Sequence, residues 1–119
     1  MKQILLVEDE EMLVNVLASV LQDEGFEVRK SASAEDALEQ LPGFKPDLII
    51  SDIKLEAIDG FTMLESIRST KRDAEIPFIC LTALDDSISQ KRAQALGAAG
   101  YMTKPFDVDD LVKLVKQIL

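Results

Sequence analysis

Five short apolar segments alternate strictly with five amphipathic ones along this chain. The strand candidates are Gln3–Val7, Phe26–Lys30, Asp47–Ser51, Pro77–Leu81 and Ala99–Met102. Three contain near-continuous apolar runs, Ile4-Leu5-Leu6-Val7, Leu48-Ile49-Ile50 and Phe78-Ile79-Cys80-Leu81. Such runs suit strands covered on both faces. Pro77 heads its strand, where a missing ladder donor costs least. The helix candidates are Glu10–Glu24, Ala34–Leu41, Gly60–Thr70, Asp86–Leu96 and Val108–Leu119. Gly25 and Gly97 stand where helices should stop in a left-handed residue. Asp107 is a good N-cap, and Asp109 and Asp110 favour the positive end of the last helix. Val108, Leu111, Val112, Val115, Ile118 and Leu119 share one face of that helix. Strand–helix alternation with short connections predicts an α/β fold: a doubly wound, five-stranded parallel sheet with helices on both faces.

Length and composition narrow the function. At 119 residues the chain is expected to form a single domain spanning 1–119, large enough to fold without a disulfide or metal staple. It has no His, which excludes Ser-His-Asp and Cys-His catalysis within the chain and any His-ligated zinc. Cys80 is the single cysteine, so no internal disulfide forms, as suits a reducing compartment. A net charge of −9 with no basic cluster argues against direct nucleic acid binding. Apolar runs such as Ile4–Val7 fall far short of the roughly 20 residues of a membrane helix, and the N-terminus lacks a signal-peptide core. A soluble, cytoplasmic protein is expected.

In an open parallel sheet, ligands bind beyond the carboxyl ends of the strands. Glu8 and Asp9 follow the first strand candidate, Asp52 the third, Thr82 the fourth and Lys104-Pro105 the fifth. Taken singly, each has an ordinary structural role: acids after a strand favour the next helix, Asp52 and Thr82 suit turns, and Lys104 is a solvated charge. Together they are harder to explain away. Two carboxylates about 5 Å apart repel by about 3 kcal/mol at an effective dielectric of about 20. A fold that gathers three must raise a pKa or bind a cation. Oxygen ligands without His or Cys select a hard ion, Mg²⁺ foremost, with Mn²⁺ or Ca²⁺ as substitutes. A cation beside a lone carboxylate, a hydroxyl and an ammonium meets the needs of phosphoryl transfer. The glycines at 25, 43, 60, 97 and 100 make neither a P-loop nor a G-x-G-x-x-G, so the phosphoryl group should not arrive on a nucleotide.

The stretches LLVEDEE, PDLIISDIKLEAIDG, FICLTAL and GAAGYMTKPF, in this order, resemble the receiver domain of two-component response regulators, similar to the chemotaxis response regulator. The resemblance runs from about Gln3 to Ile118. It implies a flavodoxin-like strand order of 2-1-3-4-5. It implies that Asp52 is the phosphoacceptor, taking its phosphoryl group from phosphohistidine on a histidine kinase or a histidine phosphotransfer protein. Glu8 and Asp9 are then the acidic pair that holds Mg²⁺ with Asp52, and the backbone carbonyl of Lys54 is a further ligand. Thr82 is the switch hydroxyl, Lys104 contacts the acyl phosphate, and Tyr101 is the aromatic that turns inward. The alternative for Tyr101 is a half-buried strand aromatic and nothing more.

The resemblance further implies a cis Lys104–Pro105 bond. It also implies an output face on the fourth helix, fifth strand and fifth helix, where a phosphorylation-dependent dimer could form. The chain departs from the commonest pattern at Glu56, where many members carry Pro, and at Gly100, where Asp or Asn is frequent. Lys54 and Leu84 fill variable positions that border the phosphate.

Two other readings compete. A haloacid-dehalogenase-like phosphatase would need a second Asp two residues after the nucleophile, where this chain has Lys54. A degenerate receiver that only docks would be expected to lack Asp52, an acid of the pair, or Lys104. The resemblance implies a regulatory domain, not an enzyme on other substrates, with its output partner or effector unspecified. The sequence reads slightly better as a fragment of a longer regulator than as a complete protein. The first helix carries a surplus of apolar residues, Met12, Leu13, Val14, Val16, Leu17, Ala18, Val20 and Leu21. They sweep well over half its circumference, more than a core-facing stripe needs. One flank, Met12 or else Val14 with Ala18, should be free to dock a helix of the phosphodonor.

Overall fold

The structure, a computed structural model, describes residues 1–55, 57–84 and 86–119. Glu56, one of the departures from the family pattern, lies outside the described residues. The elements run β1 (Gln3–Val7), α1 (Glu11–Asp23), β2 (Glu27–Ser31), α2 (Ala34–Gln40), β3 (Leu48–Asp52), α3 (Gly60–Ser69), β4 (Phe78–Thr82), α4 (Ser87–Ala95), β5 (Gly100–Thr103) and α5 (Val108–Ile118). The strands form one parallel sheet in the order β2-β1-β3-β4-β5.

Alternate side chains of the central strands divide the core between the two faces. Leu5, Val7, Ile49, Phe78 and Cys80 pack with α2, α3 and Ala93 of α4. Ile4, Leu6, Leu48, Ile50, Ile79 and Leu81 pack with Val14, Leu17, Ala18 and Leu21 of α1 and with Leu111 and Val115 of α5. Helix starts follow their caps: the side chains of Ser33, Asp59, Asp86 and Asp107 each accept a backbone N–H of the first turn. Gly25 (φ 94°) and Gly97 (φ 75°) are the left-handed residues that follow α1 and α4.

Four of the five strands sit one residue further along than the hydrophobic runs predict. Asp52 and Thr82 are therefore the last residues of β3 and β4, not the first residues after them. The parallel ladder carries through them, with Asp52 opposite Leu81 and Thr82 opposite Thr103. Backbone pairing needs no apolar side chain, so it continues to the point where the side chains face the crevice. Likewise Phe26 precedes β2 instead of opening it.

One close approach fixes the path of the chain beside Asp52. The Gly60 N–H donates to the Ile53 carbonyl at 2.8 Å. A Cβ at Gly60 would lie 2.6 Å from the Asp52 carbonyl oxygen and 2.8 Å from the Ile53 Cα, both backbone atoms that cannot step aside. Gly43, by contrast, has nothing within 4 Å of an added Cβ. Gly60→Ala should lower the unfolding free energy by about 1–3 kcal/mol in urea titrations. Gly43→Ala should be neutral or stabilising by up to about 1 kcal/mol. Equal behaviour of the two variants would contradict this packing.

Candidate functional site

The carboxyl ends of β1, β3 and β5 bring one ammonium between two buried carboxylates. Lys104, just after β5, donates from Nζ to Glu8 Oε1 at 2.9 Å and to Asp52 Oδ2 at 2.8 Å. Glu8 is 1 % exposed and Asp52 6 %. Their remaining oxygens are met by backbone: Glu8 Oε2 accepts the Glu10 N–H at 3.1 Å, and Asp52 Oδ1 accepts the Lys54 N–H at 3.1 Å. Asp9 is exposed at the rim. Glu8, Asp9 and Asp52 each offer a carboxylate oxygen within 4.8 Å of the others, an all-oxygen donor set of the kind that suits a small hard cation.

Burial dominates the electrostatics of Glu8. It raises the Glu8 pKa; the hydrogen bonds from Lys104 and Glu10 pull the other way without cancelling the shift, and the Asp52 charge adds to the rise. Burial by itself would lower the Lys104 pKa, but its bonds to Asp52 and Glu8 outweigh that and raise it. Lys104 thus stays a cation, held between its two partners. Burial pushes the Cys80 thiol up to about 12, so it offers no thiolate nucleophile.

Thr82 is fully buried, and its hydroxyl oxygen accepts the Leu84 N–H at 3.0 Å. The Leu84 carbonyl in turn accepts the Tyr101 hydroxyl. Thr82 and Tyr101 are therefore tied through the two backbone groups of one residue. The Tyr101 ring is half-buried and packs against the core face shared by α2, α3 and α4. The Lys104 N–H donates to the Thr82 carbonyl at 2.7 Å, and the Lys104–Pro105 bond is cis.

Sequence reasoning missed two supports of this site. The Ser31 backbone carbonyl at the end of β2 accepts the Glu8 N–H at 3.0 Å, and the Ser51 hydroxyl donates to the Asp52 carbonyl at 2.8 Å. A serine at a strand end carries no motif that would have flagged either. On α1, Val14, Leu17, Ala18 and Leu21 are buried, while Met12 (78 % exposed) and Val16 (49 %) face outward. The free flank is the Met12 side; Val14 with Ala18 belongs to the core.

Comparison with known proteins agrees with this geometry. The sequence pattern of the response regulator receiver domain matches residues 4–116. The chain is 37 % identical over 118 residues to the alkaline phosphatase synthesis transcriptional regulatory protein PhoP of Bacillus subtilis, covering 99 % of this chain and 48 % of that protein. The chain spans about half the length of the curated relatives it matches. The solved chemotaxis response regulator CheY4 of Vibrio cholerae superposes with a TM-score of 0.93 at 28 % identity, over 100 % of this chain and 99 % of that one. The signal receiver domain of a signal transduction histidine kinase from Syntrophus aciditrophicus gives 0.92 at 30 % identity, over 100 % and 90 %.

The raised pKa of Glu8 makes a prediction about stability. A carboxyl whose folded pKa lies above its unfolded value adds stability below the unfolded pKa and loses it as pH rises through the folded one. Glu8→Gln should therefore raise the urea midpoint at pH 7 without divalent cation, and the gain should vanish at pH values below 4.5, the ordinary value for the group. A lower midpoint at pH 7 would show that the Lys104 pair outweighs the burial.

Proposed function

The chain belongs to the response regulator receiver domain family, and on that premise we propose that Asp52 accepts a phosphoryl group from phosphohistidine. The donor is a histidine kinase or a histidine phosphotransfer protein, and residues 1–119 act as one regulatory domain in the cytoplasm. The observation that supports this best is the half-buried Lys104 ammonium held between the buried carboxylates of Glu8 and Asp52. Its positive charge faces Asp52 and would serve as the counter-charge for a phosphoryl oxygen.

In the transfer, an Asp52 carboxylate oxygen forms a bond to phosphorus as the P–N bond to the donor imidazole breaks. The electron pair of that bond leaves with the imidazole nitrogen. Lys104 and the Thr82 hydroxyl, at the carboxyl ends of β5 and β4, would bind phosphoryl oxygens. Glu8, Asp9 and Asp52, with the Lys54 carbonyl, would hold Mg²⁺, with Mn²⁺ or Ca²⁺ as substitutes. When bound, that ion supplies charge neutralisation for the phosphoryl oxygens. Once the Thr82 hydroxyl turns to the phosphoryl group, the Leu84 N–H loses its acceptor, and the Leu84 carbonyl that holds Tyr101 moves with it. The equilibrium between two arrangements of α4, β5 and α5 shifts, and no new structure is built. That face is the output surface, through which an effector or a second copy would be engaged.

The chain's own chemistry is then limited to gaining and losing the phosphoryl group. Acetyl phosphate with Mg²⁺ should add one phosphoryl mass to the wild type and none to Asp52→Asn, which keeps the shape but loses the nucleophile. Equal labelling of both would refute the assignment. No adduct on the wild type would favour a docking-only receiver, and continuous release of phosphate without an adduct would favour a phosphatase.

The exposed Met12 and Val16 on α1 make the surface for the donor helix. Met12→Lys should slow transfer from a phosphorylated donor protein about tenfold, as losing about 1.4 kcal/mol of contact implies, and should spare labelling by acetyl phosphate. If both reactions slow equally, or neither does, the donor docks elsewhere.

A further inference from the structure

Helix α4 is held to the domain unevenly. It buries one side chain, Ala93, whereas α3 buries Gly60, Phe61, Met63, Leu64 and Ile67. Apart from Ala93 and the partly buried Leu96 and Ala98 that pack beside it, what fixes α4 is polar and lies toward its C-terminal end. Arg68 of α3 donates from Nε to the Leu96 carbonyl at 3.0 Å and from Nη2 to the Gly97 carbonyl at 3.1 Å. The same guanidinium donates from Nη1 to the Ala74 and Ile76 carbonyls, at 3.1 and 2.8 Å, in the segment that leads into β4. Four of its five N–H groups thus bind two chain segments far apart in sequence, a geometry that only a planar fork supplies. Arg92 adds a bond to Glu65 at 2.9 Å and lies 4.7 Å from the Phe61 ring centroid. Gly97 sits directly against the clamp, since an added Cβ would be 3.5 Å from Arg68 Nε.

The chain entering α4 is tied differently. Leu84 is bound to the Thr82 hydroxyl through its N–H and to the Tyr101 hydroxyl through its carbonyl, the contacts that phosphorylation would disturb. We infer that Arg68 is a positioning residue that makes the C-terminal end of α4 a fixed hinge, so that the helix responds to the site by swinging at its N-terminal end. That end carries Ile88, which is 79 % exposed. The inference rests on the switch reading given above for its trigger but not for its hinge. The hinge follows from the clamp alone.

Amide hydrogen exchange resolved by residue tests it, with Mg²⁺ and beryllofluoride as the phosphoryl analogue. In the wild type, loading should change exchange at Ser89, Gln90 and Lys91 and leave Leu96, Gly97 and Ala98 within about twofold. In Arg68→Gln the change should spread to those three amides, with exchange about tenfold faster, as expected for one lost charged hydrogen bond. Arg68→Lys should behave like Arg68→Gln, because an ammonium cannot span both segments. A loading effect at 96–98 as large as at 89–91 in the wild type would overturn the hinge, even if the variants fail to fold. So would Arg68 variants with the wild-type pattern, or a wild type that takes acetyl phosphate yet shows no exchange change on loading. If acetyl phosphate leaves no adduct, the phosphoacceptor reading fails separately. The unloaded proteins then decide the hinge: faster exchange at 96–98 alone in Arg68→Gln supports it, and unchanged exchange refutes it.

Discussion

The Lys104 ammonium lies within hydrogen-bond distance of two carboxylates that are almost completely buried, Glu8 and Asp52. Without it, their mutual repulsion and desolvation would fall on the carboxyl end of the sheet with no internal counter-charge. Losing the ammonium from such a cluster typically costs about 3–5 kcal/mol, because the buried carboxylates left behind are uncompensated. The pairing also couples distant parts of the chain, since β1, β3 and β5 meet at this point only because the strand order places them there. The arrangement is nevertheless unsaturated. Burial still leaves the Glu8 pKa raised, and three carboxylate oxygens still face one another. A site of this kind gains by taking up positive charge, which is the condition for binding a cation and then a phosphoryl group.

The surrounding fold keeps this charge cluster rigid on one side and adjustable on the other. Beneath Asp52, the Ser51 hydroxyl and the close approach of Gly60 fix the backbone that aims the carboxylate. Beside Thr82, the link to Tyr101 runs through the two backbone groups of one loop residue, Leu84. The same division recurs in α4, clamped near its C-terminal end by a guanidinium and preceded by the Leu84 link between Thr82 and Tyr101.

Much of this was legible in the sequence, for physical reasons that differ by level. The runs Ile4–Val7 and Phe78–Leu81 identify central strands because burial on both faces demands continuous apolar residues. Asp107 and Gly97 mark helix ends because caps have strict chemical requirements. Strand ends were misplaced by a residue at Asp52 and Thr82, where polar side chains continue an unbroken backbone ladder. Glu8 and Asp9 look equivalent in sequence, yet one is buried in a salt bridge and the other exposed at the rim. Their difference is set by which way the chain turns after β1. Arg68 was invisible for a related reason. Its partners are carbonyls, which every residue possesses, so no side-chain pattern announces them. The free flank of α1 could be narrowed to two choices but not decided, because the core-facing direction depends on how α1 lies against α5.

The account depends on a phosphoryl group attached to one oxygen of one side chain. After treatment with acetyl phosphate and Mg²⁺, reduction with borohydride converts an acyl phosphate on aspartate to homoserine, which peptide mass spectrometry locates by position. Homoserine should appear at position 52 alone, dependent on Mg²⁺ and absent when a chelator is present. Homoserine at position 9, a phosphoryl group that resists borohydride, or modification unaffected by the chelator would contradict it.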